Sequence, residues 1–290
     1  MHAHPPEVSI LDLIQRHDLL IFDAYGVLVR SDGALPGAPE LIAHLNAHHV
    51  PYLILTNDAS RSIPVAAAQY KSFGLDVDEA HVVTSSSLIV PFVQRHDLIG
   101  RPVLALGEGH ALDYIKQSGA RQIAPGAGAH FDALFLCELT TSTLHHDLEQ
   151  ILSALLSQIE RTHKVPHLVL PNPDLIYPKS ADTYGLTAGS IAAMFEAILT
   201  QRYPALSPRF QILGKPHALI FEEALGRYPH LPRERVVMIG DQLATDVKGA
   251  LESGLHAALV KTGLHTAPQW EGSPFAPPTF ILSELWPSSD

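Results

Sequence analysis

At 290 residues, with 46% hydrophobic and 17% charged side chains, the chain carries enough apolar material for one large domain or two, and it is not a disordered tether. Nineteen Lys and Arg against 30 Asp and Glu give a net charge of −11, and no basic cluster interrupts it, which excludes a binder of nucleic-acid backbones. The one cysteine, Cys137, leaves no partner for an intrachain disulfide.

The opening Met1-His2-Ala3-His4-Pro5-Pro6-Glu7 has neither a basic n-region nor an apolar h-region, and no apolar run approaches the roughly 18 residues of a membrane span. These features give the expectation of a soluble cytoplasmic protein with no membrane contact. Strand-like apolar runs then follow in order: Leu19 to Asp23, Tyr52 to Thr56, Val103 to Leu106, Ala133 to Leu136, Leu168 to Leu170, Val236 to Ile239 and Ala257 to Val260. Between them lie helical patterns. In one, Leu148, Ile151, Leu152, Leu155, Leu156 and Ile159 fall on a single stripe and read as core packing. A proline-rich stretch, Thr266 to Pro278, reads as irregular surface chain leading to a last short strand, Phe280 to Leu282. Strands alternating with helices mark an α/β chain with a parallel sheet.

Four separated patches look chemical. In the first, Leu19-Leu20-Ile21-Phe22 runs into Asp23-Ala24-Tyr25-Gly26, placing a carboxylate at a strand tip before a glycine that lets the backbone bend sharply. The second, Leu53-Ile54-Leu55-Thr56-Asn57-Asp58, ends a strand in a hydroxyl and an amide that can donate to anionic oxygens; a cap or turn is the plainer use of the same residues. In the third, Gly214-Lys215-Pro216 opens a helix with apolar face Ile220, Phe221, Ala224 and Leu225. Proline at the first helical position would leave Lys215 extended, its ammonium over the sheet end, although a lysine before a proline is ordinarily a solvated loop residue. In the fourth, the strand from Val236 to Ile239 runs through Gly240 into Asp241 and Asp246, then a helix from Val247 to Ser253 closed by Gly254. Two carboxylates beyond a strand tip, with a third on Asp23, are hard oxygen ligands suited to magnesium. Asp246 could equally be a helix N-cap.

In this order, each at the carboxyl end of a predicted strand, the patches resemble the four motifs of the haloacid dehalogenase-like (HAD) hydrolases. The segment between the second and third is domain-sized. Its Leu170-Pro171-Asn172-Pro173-Asp174, Thr84-Ser85-Ser86-Ser87 and Ala105-Leu106-Gly107-Glu108 resemble the C2-type cap of subclass IIA, the NagD-like or nitrophenylphosphatase-like branch. The resemblance implies a doubly wound, Rossmann-like parallel-sheet core of residues 1–80 and 211–290, with an α/β cap of the C2 type, residues 81–210, inserted. It implies Asp23 as nucleophile, and Thr56, Asn57 and Lys215 around the phosphoryl oxygens. Magnesium would sit between Asp23, the carbonyl of Tyr25 and Asp241, with Asp246 orienting a metal-bound water or Lys215. The partner so implied is a small phosphorylated molecule, and the cap loop from Asn172 to Tyr177 would set specificity. A homodimer through the cap is compatible with the sequence.

One position departs from the pattern. Where the family carries a second aspartate that handles protons, this chain has Tyr25. A phenol ordinarily holds its proton to about pH 10, so it can donate to a leaving alkoxide but is a poor base for water. The expectation is slow hydrolysis confined to good leaving groups, or rescue by Asp58 or Lys179. Two other readings stand beside the phosphatase: a non-catalytic phospho-ligand sensor or scaffold, and a 2-haloacid dehalogenase, whose first motif Asp23-Ala24-Tyr25-Gly26 also resembles. The dehalogenase reading leaves the acids at Asp241 and Asp246 without a purpose. Among 18 histidines, His48-His49 and His145-His146 lack a second pair at zinc spacing and read as surface residues. His217 has the more interesting address, two residues after Lys215.

Overall fold

A computed structural model describes residues 4–107, 109–126, 128–137, 144–180, 183–261 and 273–287; within these, the side chains of 111, 144–146 and 178–180 are not described. Glu108, residues 266–272 of the proline-rich stretch, and the side chains of His145, His146 and Lys179 therefore lie outside the described residues. The chain separates into two compact units, one of Met1–Thr56, Ile63–Val83 and Lys215–Asp290, the other of Asn57–Ser62 and Thr84–Gly214.

The first unit is built on a seven-stranded sheet in the order Glu7–Val8, Phe280–Leu282, His256–Val260, Val236–Gly240, Leu19–Phe22, Tyr52–Thr56, Val82–Thr84. Its central pairings are parallel. The strands Leu19–Phe22 and Val236–Gly240 are buried at every position, which explains why they read as unbroken apolar runs: a parallel sheet covered by helices has no solvent face to encode. Register sets the tips level. Phe22 lies opposite Ile239 on one side and Ile54 on the other, so the residues that follow all leave the sheet at the same edge. The Asp23 N–H donates to the Ile239 carbonyl at 2.9 Å and fixes Asp23 against that strand.

Two helical starts differ from expectation. The helix after Lys215 runs Ala218–Gly226 and begins two residues beyond Pro216, which follows a cis peptide bond. The segment after Asp241 first makes a wide π-turn, Leu243–Val247, and only then the helix Lys248–Glu252. Asp246 is accordingly no N-cap. Its side chain reaches back within that turn, where the Val247 N–H closes on the Gln242 carbonyl at 3.2 Å. These two helices pack through Gly249, whose missing side chain admits Phe221 and Pro216.

The second unit holds a five-stranded parallel sheet in the order Gln211–Ile212, His167–Leu170, Ala133–Leu136, Pro102–Leu106, Arg121–Gln122. The helix Leu144–Thr162 turns Ile151, Leu155 and Ile159 into its core, as the stripe predicted, and Ala188–Arg202 adds Ile191, Phe195 and Leu199. Cys137 is buried as a thiol. An antiparallel hairpin, Ile176–Ser180 with Thr183–Leu186, was not legible in the sequence. Its Ile176, Tyr184 and Leu186 are exposed, so no buried face imposed an alternating pattern. Among the described residues no helix is long and apolar enough to cross a membrane.

Gly189, at the start of Ala188–Arg202, lies so close to the Pro173 and Asp174 carbonyls that a methyl group there would overlap both. Gly189→Ala is therefore expected to destabilise this unit by about 1–3 kcal/mol, read as a lowered urea midpoint at unchanged slope.

Candidate active site

Everything at the carboxyl edge of the first sheet turns on Asp23, which is 6% exposed. The chain after it folds into a tight loop, with the N–H groups of Leu28 and Val29 both on the Ala24 carbonyl at 2.9 Å. Gly26, at φ +88°, makes that loop possible for two reasons: its backbone is left-handed, and a side chain would overlap the Asp241 carboxylate. Gly240 plays the matching part on the next strand, where a Cβ would overlap Asp246. The two glycines bring the acids onto the backbone.

Lys215 closes the site. It is 2% exposed, with Nζ 2.6 Å from Asp23 Oδ1 and 2.7 Å from Asp246 Oδ1. The plainer reading of a solvated loop lysine is thus overturned by burial between two carboxylates. Asp246 uses its other oxygen, Oδ2, to accept the Gln242 N–H at 3.1 Å. It acts as a bracket, one oxygen on the chain and one on Lys215. Asp241 is fully buried.

Ligand oxygens of Asp23, Asp241 and Asp246 all lie within 4.8 Å of one another, the one such group of potential metal ligands among the described residues. Burial pushes the Asp23 carboxyl well above the usual carboxylate range; Lys215 opposes this, while Asp246 and Asp241 add to it. Burial pulls Lys215 down, yet the two carboxylates on its Nζ outweigh that and raise it above its usual value, as an ammonium. Three buried carboxylates set hard oxygens at a spacing that fits a small divalent cation.

The other sequence candidates fall as follows. Tyr25 is half-buried and packs against the core of the first unit. Thr56 ends the strand beside Leu19–Phe22 and is buried. Asn57, the next residue, donates through Nδ2 to Asp174 Oδ1 at 3.2 Å, and its carbonyl accepts from Ser85 Oγ at 2.8 Å. Asp58 is engaged on both oxygens: Oδ1 accepts from the Ser60 N–H and hydroxyl at 2.8 and 2.6 Å, and Oδ2 lies 2.5 Å from Arg61 Nη1. His217 is held below its usual value by burial, and its charged neighbours are Lys248 and Glu252. His48 and His49 are exposed, in the turn after the helix Ala38–Ala47. Sequence reasoning missed the Gln242 N–H and the pairing of Asn57 with Asp174; a backbone donor and a partner more than a hundred residues away leave no local signal.

Comparison with known proteins agrees with this geometry. A family model described as haloacid dehalogenase-like hydrolase matches residues 20–121, and a HAD-hydrolase-like model matches residues 212–287, so the two take in Asp23 and Lys215 to Asp246. Dihydroxyacetone phosphatase of Corynebacterium glutamicum is 27% identical over 91% of this chain and 87% of its own. Ribonucleotide monophosphatase NagD of Escherichia coli is 24% identical over 89% of this chain and 93% of its own. Among solved structures, a possible sugar phosphatase of the HAD superfamily from Cytophaga hutchinsonii superposes with a TM-score of 0.83 at 26% identity, covering 99% of this chain and 100% of that one. NagD from Escherichia coli shares the fold at a TM-score of 0.76, with 22% identity over 93% of this chain and 97% of that one. From motif order, fold and site together, the chain belongs to the haloacid dehalogenase-like hydrolases, in their NagD-like branch.

Proposed function

We propose that the protein is a magnesium-dependent phosphatase acting on a small phosphate ester through an aspartyl-phosphate on Asp23. The observation that carries this reading is the buried cluster of Asp23, Lys215 and Asp246 beside Asp241. Asp23 attacks phosphorus in line with the departing oxygen. Lys215, Thr56 and Asn57 bind and neutralise the non-bridging oxygens as charge spreads over them, which is most of what a loose phosphoryl-transfer transition state requires. Asp246 keeps Lys215 over the nucleophile. Asp23, Asp241 and the Tyr25 carbonyl would hold magnesium, with Asp246 beside them; the ion supplies positive charge against the phosphoryl oxygens. The second unit serves as the cap that selects the leaving group, through the loop from Asn172 to Tyr177. The names of the similar proteins, a dihydroxyacetone phosphatase and a nucleotide monophosphatase, support small phosphorylated metabolites as the class. The three-acid cluster favours this over dehalogenation, which attacks carbon and has no use for a cation.

Para-nitrophenyl phosphate with magnesium should give phosphate release that Asp23→Asn abolishes and Lys215→Met lowers by about 10²-fold or more, in line with the loss of one transition-state charge partner. Phosphate release that persists undiminished in Asp23→Asn would remove the nucleophile assignment.

A second prediction concerns stability. Because the folded Asp23 carboxyl is raised above its unfolded value, the folded chain binds more protons than the unfolded one between those values, so metal-free stability falls as pH rises through that window. Magnesium should therefore raise Tm most near pH 7.5, and the gain should shrink toward about pH 5 as protons compete for the site. In Asp23→Asn the metal-free Tm should rise and the magnesium shift should diminish. Equal magnesium shifts in wild type and Asp23→Asn would count against the cation site.

A further inference from the structure

We propose that His17 and His256 form an acid-sensitive latch, which holds the first strand and helix of the chain against the seven-stranded sheet at neutral pH and releases them when both imidazoles are protonated. His17 caps the helix Ile10–Arg16 and precedes the strand Leu19–Phe22, while His256 opens the strand His256–Val260. Both lie at the amino edge of the sheet, opposite Asp23, so the latch stands apart from the phosphatase reading.

The contact is a hydrogen bond between two rings. His17 is 4% exposed, with Nδ1 2.9 Å from the Leu13 carbonyl and Nε2 2.9 Å from His256 Nδ1. A carbonyl only accepts, so His17 Nδ1 carries the hydrogen, Nε2 is the lone pair, and the His256 Nδ1–H donates to it. Phe280 stands edge-on to both rings, its centroid 5.9 Å from that of His17 and 5.7 Å from that of His256. One added proton can be accommodated: the His17 Nε2–H then donates to a bare His256 Nδ1. A second puts hydrogens on both facing nitrogens, and the bond becomes a repulsion between like charges.

The segment held by the pair is short. It pairs Glu7 and Val8 with Ile281 and Leu282, joins Glu7 to Lys261 on the surface, and buries Ile10 and Leu13. Directly after His17 the chain is anchored, since Asp18 makes a two-pronged ion pair with Arg235 at 2.9 and 2.7 Å. Release can therefore stop at residue 17 and leave the rest of the sheet in place. The charged surroundings act in the same direction. Arg16 comes from the same helix and Arg235 from the turn before Val236–Gly240, with Asp18 answering Arg235; the cleft that His17 lines also carries His48, His49, Tyr228 and His230. Burial holds the His17 imidazole below its usual value; His256, Arg235 and Arg16 add to this, and the Leu13 carbonyl opposes it. The released segment thus binds more protons than the latched one. Its hold is full above about pH 6.5 and is lost as pH falls through the folded value.

The test is hydrogen exchange of the intact chain at about pH 7.5 and 5.5, read by mass spectrometry as protection factors for residues 7–17 and for the strand Tyr52–Thr56. Protection of residues 7–17 should fall by about tenfold or more, the effect of one extra proton taken up on release across this range, while Tyr52–Thr56 keeps its own. His256→Asn can still donate to His17 but cannot take a charge, so its loss over residues 7–17 should be about tenfold smaller. Equal changes in the two segments of the wild type would overturn the proposal, and that comparison stands whether or not the variant folds. A variant shown to be folded by circular dichroism that loses as much protection as the wild type would overturn it too.

Discussion

A buried ammonium held between two carboxylates organises this molecule. Lys215 reaches both Asp23 and Asp246 at hydrogen-bonding distance with almost no exposure to water. Burying three charges is costly, and their mutual attraction offsets that only because the geometry is close and the spare oxygen of Asp246 is satisfied by the Gln242 N–H. Asp241 adds a third buried carboxylate within 4.8 Å of the other two. The cluster thus gathers hard oxygen ligands at a spacing suited to a divalent cation.

The sheet makes this arrangement possible. Residues 23, 215, 241 and 246 are distant in the chain, yet parallel register brings the ends of Leu19–Phe22 and Val236–Gly240 level and sends both chains off the same edge. A parallel sheet buried on both faces can hold its tips still, which loops on a mobile scaffold cannot. Glycines at 26 and 240 then allow backbone and carboxylate to touch, so the acids are positioned by main chain and not by long flexible side chains. The π-turn over Leu243–Val247 completes the arrangement, letting Asp246 turn back toward Gln242 while still facing Lys215.

How much of this the sequence disclosed depended on whether a residue's partner was encoded locally. Strands such as Tyr52–Thr56 and Ala133–Leu136 were legible because two-sided burial writes a continuous apolar run. The stripe on Leu144–Thr162 was legible because one-sided burial writes a helical period. The hairpin Ile176–Ser180 with Thr183–Leu186 was hidden because its apolar residues are exposed and so obey neither pattern. The three acids and the lysine were recognisable by address, but that Lys215 lies buried was not, since a lysine before a proline carries no mark of the carboxylates that receive it. Asn57 shows the same limit: its partner Asp174 lies 117 residues further on.

Tyr25 stands where the resemblance to the family places a second aspartate. The turn that follows it depends on the backbone of Gly26, at φ +88° and close against the Asp241 carboxylate. The Tyr25 ring packs against the apolar core of the first unit. The electrostatic cluster is built from Asp23, Lys215, Asp241 and Asp246.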